Sequence, residues 1–322
     1  MKYHQNQEKI QNAIKVARMY YYQNMKTDAI AMELKVSRST VSRMLSFAKD
    51  EGYVEIKVAT PTQEITEIEK SIGGSFGIER IHVVPVPDIA GEAVWLDLVA
   101  QYAANHLNSV IGSGMILGIA WGTTLSAISR HLLKKSTHNL QIVQLNGAGN
   151  IKSTGINYAS EILMRFAANY QARVHLFPVP TFFDYAETKQ ALWRERSIKR
   201  ILNLQEKADV LLYSIGAVSA GIPSHVYSAG YLEQKDYQEL KRENIVGDIA
   251  TVFFRENGSS HNIPINERAS GPNLDMFRLK HGICVVSGLA KVNGLLSALR
   301  GRLMSELIVD EPTARALVSK IR

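Results

Sequence analysis

Between Ile81 and Val309 the chain alternates strand-length apolar runs with amphipathic helical stretches, and few folds accept that pattern. The runs Ile81–Pro85, Met115–Ala120, Leu140–Leu145, Arg173–Pro178 and Val210–Ile215 are expected strands. Glu92–Ile111, Thr124–Leu133, Ile156–Tyr170 and a stretch from Glu187 toward Leu204 are the helices between them. Two later strands, Gly282–Ser287 and Glu306–Val309, are each followed by a helix. Strands separated by crossover helices pair in parallel, and a parallel sheet is covered on both faces. The expected fold class is α/β, with a doubly wound, largely parallel sheet.

Open sheets of this kind bind ligands beyond the carboxyl ends of their strands. Those positions here are polar and glycine-rich: Gly122, Thr123 and Thr124 after one run, Asn146, Gly147 and Gly149 after another, Gly216 after a third. A Gly-Thr-Thr turn opening a helix offers backbone N–H donors, two hydroxyls and the positive end of a helix dipole, a combination suited to phosphate. No Gly-Lys-Ser/Thr triplet is present, and Gly112-Ser113-Gly114 precedes its strand rather than following it. Nucleotide hydrolysis and dinucleotide binding are therefore not expected.

At 322 residues the chain exceeds what one core usually organises, so a second unit is expected. Charge points to where it lies. The net charge is +7, and +4 of it falls within residues 1–60. That segment has an amphipathic pattern over Ile10–Tyr22 (Ile10, Ala13, Ile14, Ala17), a short helix N-capped by Thr27, and a third helix capped by Ser37 and ending near Gly52. Two short helices around a brief turn make a helix-turn-helix, whose second helix enters the major groove of double-stranded DNA by its first turns. Ser37, Arg38, Ser39, Thr40, Ser42 and Arg43 are the candidate DNA contacts, with Val36, Val41 and Leu45 facing inward. Tyr53–Val58 alternates as a possible wing, and Thr60-Pro61-Thr62 is the expected boundary between a DNA-binding domain (1–60) and an effector-binding and oligomerisation domain (61–322). Ile65, Ile68 and Ile72 form a stripe fit either for pairing two chains or for packing on the parent domain.

Other classes fall away on composition. The lone Cys284, in an apolar run, makes neither an internal disulfide nor a cysteine-based zinc site. No long apolar stretch or signal-like start occurs, so a cytoplasmic chain without membrane contact is expected, and no cofactor or metal is called for. Asp184, Asp248, His175 and His225 could in principle serve an enzyme on sugar phosphates, but no catalytic spacing joins them, and an enzyme has no need of the basic head.

Seven ordered blocks, RMYYYQNMKTDAIAMELKVSRSTVSRML, GIAWGTT, VQLNGAG, PVPTFFDYAETK, SIGAVS, VGDIATVFFRENG and VSGLAKVNGLLSALRGRLMSELIVDEPTARALV, resemble the SorC family of bacterial transcriptional regulators, in the branch of the deoxyribonucleoside regulator. The resemblance implies a DNA-binding domain joined to a non-catalytic domain built like sugar-phosphate isomerases and deaminases. It further implies a phosphorylated sugar effector, operator DNA as partner and a homo-oligomer, dimer or tetramer. The family's phosphate loop falls on Gly122, Thr123 and Thr124, and its second effector loop on Asn146, Gly147 and Gly149. Its sugar-facing aspartate falls on Asp184, its Gly-Asp pair on Gly247 and Asp248, and its late lysine on Lys291. Two departures stand out: Val286-Ser287-Gly288 where Ala-Gly-Gly is common, and Asn146, which cannot form a Schiff base, so that an effector held there should bind reversibly.

Overall fold

The computed structural model describes residues 2–54, 63–87, 89–150, 156–217 and 224–321. The chain divides into two compact units, Met1–Pro61 with Leu133–Lys135, and Thr62–Leu132 with Ser136–Arg322. The expected wing beyond Val54 and the Thr60–Thr62 linker lie outside the described residues.

In the first unit, α1 (Lys2–Ala17) runs into a π-helical turn, Arg18–Tyr22, and is followed by α2 (Thr27–Leu34) and α3 (Arg38–Asp50). The π turn shifts the buried stripe: Ala13, Val16, Ala17 and Met19 are buried, whereas Ile10 and Ile14 are only half-buried and Tyr20 is exposed. Thr27 is not the cap of α2 but its first residue, because Lys26 holds the extended conformation before it and supplies no side-chain cap. Ser37 does cap α3, its Oγ accepting from Thr40 N at 3.1 Å. The turn between α2 and α3 is sharp because Lys35 takes a left-handed conformation (φ 52°), from which its N–H reaches back to α2. Ile30, Ala31, Val41, Leu45 and Ala48 close the small core.

The second unit holds a seven-stranded sheet made of β1 (Arg80–Val84), β2 (Ile116–Ile119), β3 (Gln141–Gln144), β4 (Arg173–His175), β5 (Val210–Tyr213), β9 (His281–Val286) and β10 (Glu306–Asp310). Its order is β1-β10-β9-β5-β2-β3-β4, with every pairing parallel. Strand alternation sorts the side chains between two cores. Ile283, Val285 and Ile308 join the side of helices α5 (Glu92–Val110), α6 (Thr123–His131) and α7 (Ile156–Tyr170). Cys284, Val286, Leu307 and Val309 join the opposite side, with α4 (Gln63–Phe76) and the helices Val292–Arg300 and Glu311–Ile321. Helices thus cover both faces, the doubly wound arrangement that the alternation predicts. Ile65, Ile68 and Ile72 pack into this second core, which decides their use in favour of the parent domain.

Two expected elements are split. The helix from Glu187 breaks into Ala186–Leu192 and Arg196–Glu206, because Trp193 turns in to meet Phe177 and Phe183 at ring-centroid distances of 5.5 and 5.6 Å. The strand Val210–Ile215 ends at Tyr213, and the chain changes sheets at Ser214. Its continuation, β6 (Ile215–Gly216), pairs antiparallel with β7 (Ile245–Ile249), which pairs with β8 (Val252–Arg255). This three-stranded sheet was not expected from the sequence. Its hairpin turn is Ala250-Thr251, both at positive φ (48° and 69°), where Asn-Gly is the usual signal.

Candidate functional site

From β2 the chain moves to β3 and β4 on one side of the sheet, whereas β5 leads toward β9 and β10 on the other. The carboxyl ends of β2 and β5 are therefore the switch point at which a crevice opens. Gly122, Thr123, Thr124, Asn146, Gly216, Asp248 and Lys291 line that crevice. Five of them were legible as residues after strands; Asp248 and Lys291 came from the family pattern.

The glycines have physical reasons. Gly122 ends its strand turn at φ 152°, outside the range that side-chain-bearing residues favour, and so starts α6 directly under the crevice. A Cβ on Gly216 would strike the Asp248 carboxylate, so the bare backbone is what lets the aspartate reach the cleft.

Lys291 is the centre of the polar cluster. The chain reaches it through Gly288, whose N–H donates to Asp310 Oδ2 at 3.0 Å and to Thr313 Oγ1 at 3.1 Å. Leu289 N–H donates to Glu92 Oε1 at 3.1 Å, and a short 3-10 turn then sets Lys291 pointing back into the crevice. Its Nζ donates to Thr124 Oγ1 (3.4 Å) and Ser214 Oγ (3.5 Å), and Ser214 Oγ donates to Thr124 Oγ1 (3.2 Å). The side chain is buried, and among the described residues no carboxylate lies in ion-pair range of it. Burial pushes its pKa below the usual lysine range, against the pull of Cys284, Asp248, Asp310 and Glu92. A buried ammonium held only by hydroxyls gains much from an incoming anion.

Asp248 has two oxygens with different tasks. Oδ2 accepts from Thr251 N at 3.1 Å and so holds the positive-φ turn of the hairpin. Oδ1 is buried near the Tyr227 hydroxyl without a regular hydrogen bond among the described residues. Burial pushes the carboxyl up to about 6, against the Thr251 N–H, Tyr227 and Lys291, which favour the ion. Both amide atoms of Asn146 and the Ser287 hydroxyl are likewise buried without partners among the described residues. These three polar groups on one crevice are left available for an incoming hydrogen-bonding partner.

The raised Asp248 pKa makes stability depend on pH with a definite sign. Between about pH 4 and pH 6 the folded chain holds a proton that the unfolded chain has released, so this group favours folding more as pH falls. At pH 7.5 the ionised, buried carboxylate costs about 3 kcal/mol, two pKa units at ~1.4 kcal/mol each. Asp248→Asn keeps an oxygen for Thr251 and is expected to be more stable than the native chain at pH 7.5, with the difference falling to roughly a third near pH 4.5. Urea melts at the two pH values check this; a difference that does not change with pH would refute it.

Not every expected effector residue meets here. Gly147 is closely packed and does not line the crevice: its N–H donates to Ser270 Oγ at 2.9 Å, and a Cβ would strike the carbonyls of Val179 and Pro180. Gly149 and Asp184 line a separate hollow, with Tyr185, Tyr231 and Arg268. Conversely Glu92, Ser214, Thr251 and Ser287 line the crevice, and sequence reasoning did not name them as effector contacts. His175 lies in neither place; its Nε2 is 3.0 Å from Gln141 Oε1 and its Nδ1 3.1 Å from Arg200, a structural arrangement. Cys284 is buried in the core, and burial pushes its thiol pKa up, away from reactivity.

In the first unit Ser37, Arg38, Ser39, Ser42 and Arg43 are exposed and Thr40 half-buried at the start of α3. Ser37 Oγ lies 2.8 Å from both Ser39 Oγ and Thr40 Oγ1. Arg38 Nε is 3.4 Å from Asp28 of α2, whereas among the described residues Arg43 is held by Ser39 O and Thr40 Oγ1, each at 3.4 Å.

Comparison with known proteins agrees with this geometry. A family model described as "Putative sugar-binding domain" matches residues 60–319. The deoxyribonucleoside regulator of Bacillus subtilis (strain 168) is 34% identical over 320 residues, covering 98% of this chain and 100% of the relative. The chain belongs to the SorC family of transcriptional regulators. The full-length sorbitol operon regulator SorC from Klebsiella pneumoniae superposes with a TM-score of 0.74 at 25% identity, covering 96% of this chain and 98% of that one. A domain of a possible sugar-binding transcriptional regulator from Arthrobacter aurescens TC1 is 49% identical with a TM-score of 0.75, covering 81% of this chain and 100% of that one. This SorC-family protein is therefore a transcriptional regulator with a sugar-binding domain, and not an enzyme. No helix among its described residues is long and apolar enough to cross a membrane.

Proposed function

We propose that this regulator is a repressor of carbohydrate or nucleoside catabolism genes, acting in the cytoplasm, whose operator affinity changes when a phosphorylated sugar occupies the crevice of the second unit. The phosphate sits against Lys291 and the start of α6 at Gly122–Thr124; Asn146, Asp248 and Ser287 meet the sugar hydroxyls. The observation that carries this reading is the buried ammonium of Lys291, hydrogen-bonded to two hydroxyls and lacking a carboxylate among the described residues. Binding is reversible, since Asn146 offers no amine at the family's second loop. The effector binds the two DNA-affinity states unequally, and DNA reciprocally changes effector affinity. Homo-oligomers, dimeric at least, place two heads on half-sites one helical turn or a multiple apart, so a small change of spacing breaks register.

Thermal melts against phosphorylated pentoses and hexoses, each beside its unphosphorylated counterpart, test the phosphate requirement. At least one phosphorylated sugar should raise Tm with a concentration dependence that saturates, and its unphosphorylated partner should not. Equal shifts by both forms, or by neither across the panel, would overturn the assignment.

A further inference from the structure

At the amino-terminal ends of β9 and β10, beside the edge strand β1, a second cluster serves no part of the regulatory reading. Glu306, the first residue of β10, is buried, and three histidines converge on its carboxylate. His82 Nε2 from β1 lies 2.8 Å from Oε1, His106 Nε2 from α5 lies 2.5 Å from the same oxygen, and His281 Nε2 from β9 lies 2.6 Å from Oε2. Four elements distant in sequence thus bring imidazoles to one carboxylate.

We propose that His82, His106 and Glu306 bind a divalent transition-metal ion of the zinc type. The ligand atoms of these three residues lie within 4.8 Å of one another, and each comes from a different element. Around an ion with bonds of about 2.1 Å, neighbouring ligand atoms stand roughly 3.4 Å apart, a spacing within the span of these three side chains. His106 Nε2 is buried, and its one close polar neighbour among the described residues is Glu306 Oε1 at 2.5 Å, a contact that does not make a regular hydrogen bond. A cation seated beside the two atoms would relieve this short contact and take up both the imidazole nitrogen and the carboxylate oxygen. His82 has the outer support that metal-bound imidazoles usually carry: its Nδ1 is 3.0 Å from the Tyr102 hydroxyl, which fixes the ring. Two imidazoles and one carboxylate suit zinc, cobalt or iron(II) and not magnesium or calcium, which prefer all-oxygen sets. Such an ion ties β1, the edge strand, and α5 to β10, with the fourth position left for water or another ligand.

The test uses the untagged full chain, stripped with chelator and dialysed against Zn2+, Co2+ or Mg2+, with bound metal measured directly. One Zn2+ per chain should bind at micromolar free metal and raise Tm; Co2+ should bind with an intense visible spectrum, and Mg2+ should not bind. His106→Gln and His82→Gln, each with native circular dichroism, should weaken Zn2+ binding at least tenfold, whereas His131→Gln, which alters a surface pair with Asp97, should not. No zinc bound at micromolar concentration, or equal binding by the native chain and both cluster variants, would overturn the proposal.

Discussion

Replacing Lys291 with glutamine is expected to weaken binding of the phosphorylated sugar by roughly 10- to 100-fold, the equivalent of about 1.5–3 kcal/mol for a charge-assisted hydrogen bond to a buried anion. Operator binding without effector should be unchanged, because Lys291 and α3 belong to different compact units. Stability supplies a second readout with the opposite sign. Burial lowers the pKa of Lys291, so the folded chain is charged there at a cost, and the neutral glutamine should leave Tm equal or higher. Simple damage to the fold would lower Tm together with effector affinity. Titration calorimetry with the sugar phosphate identified in the thermal panel, and melts without it, separate the two. Undiminished effector affinity in Lys291→Gln would remove the phosphate from this end of the crevice.

Arg43→Ala is expected to weaken operator binding by about 1–3 kcal/mol per head and leave effector affinity intact. Arg43 is the stronger choice than Arg38 because its guanidinium is exposed with only weak contacts inside α3, whereas Arg38 is engaged by Asp28. The salt dependence tells which contact is lost. If Arg43 meets a phosphate, the loss is uniform across DNA sequences and the slope of log affinity against log salt falls by about 1. If it meets a base edge, discrimination between operator and unrelated DNA shrinks while the slope holds. Operator affinity equal to that of the native chain would place recognition elsewhere than the start of α3.

Most of the crevice was legible because its residues follow apolar runs. Gly122, Thr123, Thr124 and Asn146 come directly after β2 and β3, and Gly216 comes just beyond β5. Lys291 came from the family pattern, and nothing local showed that its ammonium would be buried. The departure at Val286-Ser287-Gly288 proved informative as well, since it puts the Ser287 hydroxyl on the crevice wall without a partner among the described residues. The hairpin Ile245–Arg255 was not legible. Its turn is Ala250-Thr251, which carries no Gly or Asn; the positive φ of both residues is held by the Asp248 carboxylate and surrounding packing, not by local preference. Gly147 illustrates the opposite ambiguity. Glycine after a strand can mean ligand approach or close packing, and at Gly147 the carbonyls of Val179 and Pro180 decide for packing.

The His82, His106, His281 and Glu306 cluster marks the same limit from another side. Spaced over more than two hundred positions, these residues form no motif, and only the order β1-β10-β9 brings them to one sheet edge. What the amino-acid order determined by itself are properties with short range: the periodicity that makes strands and helices alternate, the Ser37 cap, the basic head and the polar residues after strands. Tertiary structure decided the rest: which unit takes Ile65, Ile68 and Ile72, where the chain leaves one sheet for another at Ser214, and which polar groups end buried and unsatisfied. Burial and pairing depend on the three-dimensional neighbours of a residue, and those neighbours are set by the order of strands in the sheet rather than by their order along the chain.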